Sequence, residues 1–507
     1  MKLHLKSPVI DTPSASTTSL KTCISRNFED DDCSWRDSPQ KVKVKENSRS
    51  PEVVQSFPTD GILQSIDGAL STNAQRHETT MEIFMQSVIP FLLAGLGSIS
   101  AGLLLSYAHQ NFKLLREVSL FLAIMPPLQG MKGNLDMTFC SRLSTMAHKG
   151  DFARPGHCEV LLRNIALIQG QSVFVCLVAD AISYAVSQLQ KDEVSASSED
   201  FLFLGCAAVI AMAINCGIST CSLVLLIMHA WRKGYDPDNI VTPLAASFGD
   251  LLTVAVMLLV CYIIRPYTAF SVAVPIVILC FAVSTTFGWM SFAWKDEGAA
   301  LVGRQQWITL LVAASISCVA GYLQSHAARK FPNYPAYQTL ISGQTGNRCA
   351  VHASRISSYL SLNNRSELPL KKRMSPYGYY TSCNYITSIF TGYESATARL
   401  LLLCAVPFQL IFVGVSFCVS TLISQPTESS YKFFFGYALA VFCHMSIMLF
   451  MTQGLVNMLW WLGLDPDVHA IPLLTAFADV LGGISLYTLF FVVNHFWEGS
   501  VVYKKPT

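Results

Sequence analysis

Charge is what this sequence has least of. Charged residues make up 13% of its 507 positions, about half the roughly 25% of a soluble domain. The formal net charge is only +2, and no run of Lys and Arg is long enough to bind nucleic acid. The 16 cysteines include no CxxC pair. Scattered through apolar segments, they read as small buried hydrophobes, and neither a disulfide framework nor a paired-thiol metal site is expected. His352, His444 and His469 form no spaced cluster, so soft-metal ligation lacks its side chains. The first eighty residues contain no apolar core of a secretory signal. Rich in Ser, Thr, Pro, Lys and Asp, they read as a disordered tail, residues 1–82. Within it the acidic run Glu29 to Asp32 reads as solvated charge. Residues 1–28 are basic, hydroxyl-rich and nearly free of acids, as a transit peptide is, and equally as an ordinary cytosolic tail is.

In place of charge the chain has long apolar runs, 52% of it being hydrophobic. A run of about 20 residues crosses a hydrocarbon core about 30 Å thick. Eleven spans are expected: 83–107, 118–145, 160–187, 201–231, 240–264, 269–293, 307–326, 335–360, 397–424, 432–462 and 470–493. Basic residues gather in the loops after the second, fourth and eighth spans (Lys149, Arg154, Arg163; Arg232, Lys233; Arg365, Lys371, Lys372, Arg373). By the positive-inside rule these loops and the N-terminus share the cytosolic or matrix side. The fold class is therefore an all-α polytopic membrane protein.

The chain also repeats itself. Residues 130–145 and 343–358 agree at six of 16 positions, among them Gly130/Gly343, Gly133/Gly346, Asn134/Asn347 and Arg142/Arg355. Residues 236–250 and 465–479 agree at seven of 15, including a shared Asp-Pro-Asp, Pro243/Pro472 and Asp250/Asp479. The spans then sort into five, one and five: a first repeat over 83–264, a linking helix and loop over 265–306, a second repeat over 307–495 and a short tail over 496–507. Five spans would invert the second copy, and the unpaired sixth restores its direction. The copies are expected to be parallel, related by a pseudo-two-fold axis along the membrane normal.

Ionisable groups deep in a membrane are costly and functional by default. Four acids qualify, Asp136, Asp180, Asp250 and Asp479, and only the last two match between copies. Counting from the expected helix ends puts these two roughly 15 Å deep, and Asn134 and Asn347 roughly 12 Å deep, at 1.5 Å per residue. Gly133 and Gly346 permit close approach or local unwinding. Pro243 and Pro472, seven residues before their aspartates, leave an upstream carbonyl without its donor. The set is all oxygen with charge near −2, and it suits a hard, partly hydrated ion such as Mg²⁺. Two membrane aspartates also admit an intramembrane aspartyl protease. Its GxGD signature is missing, the residues being Ser247-Phe248-Gly249-Asp250 and Ala476-Phe477-Ala478-Asp479.

The stretch PxxxxxxGN from Pro126 to Asn134, the SRLST at 141–145, the GDL at 249–251 and both Asp-Pro-Asp triplets resemble the eukaryotic members of solute carrier family 41, relatives of the bacterial MgtE magnesium channels. The resemblance covers residues 83–495. It implies a transporter rather than an enzyme, with Asp250 and Asp479 at a shared ion path and no resident cofactor. It also implies Mg²⁺ as cargo, Na⁺ as exchange partner, and the mitochondrial inner membrane or the plasma membrane as site. A channel without Na⁺ coupling is the alternative. The second copy departs from the motif, with Thr339 for the first proline and SRISS for SRLST.

Overall fold

The computed structural model describes residues 80–118, 120–148, 156–189, 197–233, 237–331, 333–363, 395–422 and 431–496. The N-terminal tail, the loops carrying Lys149, Arg154, Lys371, Lys372 and Arg373, and Asp236 of the first Asp-Pro-Asp lie outside them. Among the described residues every element is a helix: α1 Thr80–Asn111, α2 Lys113–Glu117, α3 Leu120–His148, α4 His157–Leu189, α5 Ser198–Lys233, α6 Pro237–Phe270, α7 Ala273–Ala293, α8 Glu297–Lys330, α9 Tyr334–Asn363, α10 Ser395–Leu422, α11 Tyr431–Trp461 and α12 Pro466–Phe496. Apart from the five-residue α2, each helix corresponds to one expected span.

Nine of these helices are long and apolar enough to cross a membrane on length and composition. The two others, α3 and α9, carry the repeated GxxGN motif. They are polar because they are central: Gln129, Lys132, Asn134 and Asp136 of α3, and Gln338, Gln344, Asn347 and Arg348 of α9, are all buried. Hydropathy reports what lipid would see, and these helices are walled off from lipid by the others.

The packing is two-fold. In the first half α3 packs on α4, α5 and α6, and α5 on α4 and α6. In the second half α9 packs on α10, α11 and α12, and α11 on α10 and α12. The first helix of each half bridges to the other: α1 packs on α6 of its own half and on α9 and α10, and α8 on α12 of its own half and on α3 and α4. One core gathers Phe121, Phe139 and Met257 with Leu310 and Ala314 of α8; the other gathers Tyr337, Tyr437 and Leu474 with Phe91 and Ile99 of α1. Within a bilayer, apolar burial gives helices little reason to associate, and close approach of backbones carries the energy instead. The two crossings between halves show this. A Cβ on Gly102 of α1 would sit 2.5 Å from the Ala336 carbonyl oxygen of α9, and one on Gly321 of α8 only 1.8 Å from that of Ala123 in α3. The unpaired α7 lies against α4 and α5, with Val277, Phe281 and Phe287 exposed on its outer face. The two five-helix repeats are thus parallel and joined by one linking helix, as expected.

The repeated Asp-Pro-Asp has a local cause. Trp461 is followed by Gly463 at φ 73°, and Leu464 N–H donates to the Leu459 carbonyl, a glycine-terminated helix end. Asp465 then caps α12, its Oδ1 accepting from Asp467 N–H at 3.0 Å. Pro466 takes the first helical position, where no N–H is needed. Asp479 follows thirteen residues later, about 20 Å up the helix. Pro237 opens α6 in the same way, at the same distance from Asp250.

Candidate ion path between the halves

A cavity of about 60 Å³ lies between the halves, lined from α3 by Gly130, Gly133 and Asn134, from α9 by Gly343, Gly346 and Asn347, and by Asp250 of α6 and Asp479 of α12. Helix packing alone brings these together, since α3 with α6, and α9 with α12, are among the most extensive contacts in the molecule. At the roughly 30 Å³ a water occupies in the liquid, the volume holds about two waters, enough for an ion that keeps part of its shell.

Equivalent residues meet level by level. Asp479 Oδ2 lies 3.1 Å from where a Cβ on Gly130 would sit, and Asp250 Oδ2 lies 3.6 Å from the same point on Gly343. Each aspartate therefore faces the glycine of the other half's motif; a side chain at Gly130 would press on the Asp479 carboxylate, and one at Gly343 would press first on Ser98. Asn134 and Asn347 come one turn further along. Beyond them Met137 and Ala350, themselves equivalent positions, touch each other with Ile471 in a small apolar cluster that borders the cavity.

The polar wiring is unequal. Ser317 of α8 donates to Asp479 Oδ2 at 3.1 Å. Its counterpart Ser98 of α1 has a buried hydroxyl without a partner. Thr475 donates to Asn134 Oδ1 at 2.9 Å, whereas Asn347 Nδ2 is unpartnered and the residue corresponding to Thr475 is Ala246, which has no hydroxyl to offer. Unpartnered amide atoms of Gln129, Gln324 and Gln338 also line the cavity.

Six of the eight residues picked out by the repeat line the cavity: Asp250, Asp479, Asn134, Asn347, Gly133 and Gly346. Pro472 is buried outside that lining, two turns and about 10 Å along the axis from Asp479, and the side chain of Pro243 lies outside those the structure describes. Nor do the glycines unwind anything: α3 and α9 run unbroken through Gly133 and Gly346. Gly346 instead admits Thr475, 3.5 Å from its would-be Cβ, while Gly133 borders open space. Asp180 is buried against Gly205 of α5, away from the cavity, and Asp136 forms an ion pair with Lys132. Among the described residues no three His, Cys, Asp or Glu side chains converge as a metal cluster, and all thirteen described cysteines are free.

Ser98 and Ser317 were legible and missed. Ala94-xxx-Ser98-xx-Ala101-Gly102 recurs as Ala313-xxx-Ser317-xx-Ala320-Gly321. That pattern marks both the crossing glycines and the hydroxyls beside the aspartates.

The MgtE family model, described as a divalent cation transporter, matches the chain twice, over residues 125–260 and 338–489. The chain belongs to the MgtE family. Each MgtE match contains one cavity aspartate, one asparagine and both motif glycines of its half. Solute carrier family 41 member 3 of Mus musculus is 32% identical over 421 residues, spanning 82% of this chain and 83% of that protein. Member 3 of Rattus norvegicus is 31% identical over 428 residues, spanning 83% and 89%. Member 2 of Xenopus laevis is 30% identical over 456 residues, spanning 87% and 79%. No solved structure matches. The MgtE membership makes the chain a multi-pass divalent cation transporter, not an enzyme.

Proposed function

We propose that this chain carries Mg²⁺ through the cavity between its halves, past Asp250 and Asp479, in exchange for Na⁺. One observation carries the reading: two carboxylates and two carboxamides from equivalent positions line one water-sized cavity in the membrane-spanning bundle. Oxygen donors of this kind suit a hard cation. A site with only two acids suits Mg²⁺, which sheds water reluctantly and binds through one or two carboxylates while keeping several waters. The aspartyl-protease alternative gains nothing from this arrangement, in which each aspartate is matched to the opposite half's glycine.

The test is Mg²⁺ flux in liposomes reconstituted with purified protein. Asp250→Ala and Asp479→Ala are each expected to cut flux by at least about tenfold, the low end of what lost metal-site support costs. The double variant should carry none. Near-normal flux through a well-folded double variant would falsify the ion path. Imposing and collapsing a Na⁺ gradient in the same liposomes separates exchange from a channel, since only exchange follows the gradient. Cell fractionation assigns the mitochondrial inner membrane or the plasma membrane.

A further inference from the structure

Behind Asp250 the first half holds a charged pair that the second half lacks. Lys132 and Asp136, one turn apart on α3, are wholly buried and ion-paired. Ser219 of α5 joins them, bonded to Lys132 Nζ and lying 3.1 Å from Asp136 Oδ1. The other carboxylate oxygen, Asp136 Oδ2, is buried without a partner and lies 3.3 Å from where a Cβ on Gly249 would sit. Gly249 is the residue before Asp250. A third carboxylate therefore abuts the backbone of α6 beside the ion path, with a lysine tied to its far oxygen. The corresponding residues of the second half are Thr345 and Cys349, both uncharged.

A buried ion pair is a poor source of stability, since desolvation offsets most of its attraction. The second half folds around the same scaffold without one. What the pair does supply is charge. Asp136 alone would make the path a three-carboxylate site, binding a divalent ion tightly and releasing it slowly; Lys132 alone would repel that ion.

We propose that Lys132 and Asp136 are positioning residues that set the charge of the ion path, Lys132 cancelling Asp136 so that a divalent cation meets a net charge of two carboxylates. The proposal rests on the reading of Asp250 and Asp479 as the ion path. Lys132→Met leaves the path one charge more negative, so the KM for Mg²⁺ falls and the maximal rate falls with it. Asp136→Asn leaves it one charge more positive, so KM rises. A unit charge about one helix diameter from a divalent ion shifts affinity by about tenfold in a partly hydrated site. The double variant K132M/D136N restores the charge and returns KM to within about threefold of wild type.

The experiment measures the concentration dependence of Mg²⁺ flux for all three variants in liposomes, after size-exclusion chromatography has shown each to be monodisperse. Opposite shifts in the singles with recovery in the double establish charge setting. Shifts of the same sign, or a double variant no better than the worse single, mean that the pair is a strut between α3 and α5. Should neither single be recovered, the double variant, which buries no charge, decides: a KM within threefold supports the proposal and a tenfold displacement overturns it. The wild type and D250A/D479A are run alongside. If the wild type carries no Mg²⁺, or the double aspartate variant still does, the ion-path reading fails. If those controls behave and the charge series does not, only the present proposal fails.

Discussion

The two halves share a packing plan and differ in what is wired to it. In the second half Ser317 holds Asp479 and Thr475 holds Asn134 across the interface. In the first, the corresponding serine hydroxyl has no partner, Ala246 offers no hydroxyl to Asn347 of the other half, and a lysine–aspartate pair lies behind the aspartate instead. Duplication copied the helices, the crossing glycines and the cavity's carboxylates. The second layer of hydrogen bonds was then free to diverge, because it needs only single hydroxyls. On the proposed ion path, one aspartate is thus oriented before any ion arrives, and the other would be left for the ion to satisfy.

Four comparisons sharpen or break this picture. The largest effect belongs to the crossings. Gly321→Val should abolish recovery of folded protein and Gly102→Val should reduce it, because the first forces apart a closer backbone approach (1.8 Å against 2.5 Å from a Cβ to a carbonyl oxygen). Overpacking costs about 1–3 kcal/mol where side chains can yield, and more against backbone. Fluorescence-detected size exclusion ranks the two. Next, Gly130→Ala intrudes on Asp479 directly while Gly343→Ala meets Ser98 first. Flux should fall about tenfold in the former and severalfold less in the latter, with both proteins folded. Equal losses would mean that the two sides are alike. Third, Ser317→Ala removes a hydrogen bond to a carboxylate, worth about 1.5–3 kcal/mol, so its Mg²⁺ KM should rise about tenfold. Ser98→Ala removes none and should stay within about twofold on the same scale. Smallest, Thr475→Ala frees Asn134 from a neutral hydrogen bond of about 0.5–1.5 kcal/mol. The same liposome titration should show a change of about two- to fivefold.

Much of this was legible before any coordinates. Eleven helices, the five-one-five order and the parallel halves followed from apolar runs and two short matches, because a bilayer admits few alternatives to the helix. Asp250 and Asp479 stood out because an acid is expensive there. Lys132 did not, since a lysine in a polar helix reads as solvated until its partners on α3 and α5 are known. The unequal hydrogen bonds were not legible at all. They depend on which helix of one half crosses which of the other, and no periodicity within a helix carries that.

The bridging of the two halves by α1 and α8 bears on how the protein is made. The face of α1 that carries Gly102 belongs against α9 and α10, which the ribosome has not yet produced when α6 enters the bilayer. The first half is therefore inserted before it is finished. It waits, one flank uncovered, until the second half arrives to clasp it. A nascent chain stalled between α7 and α9 would present that flank to the cell's quality-control machinery as an orphan, although every helix of the first half is already in place.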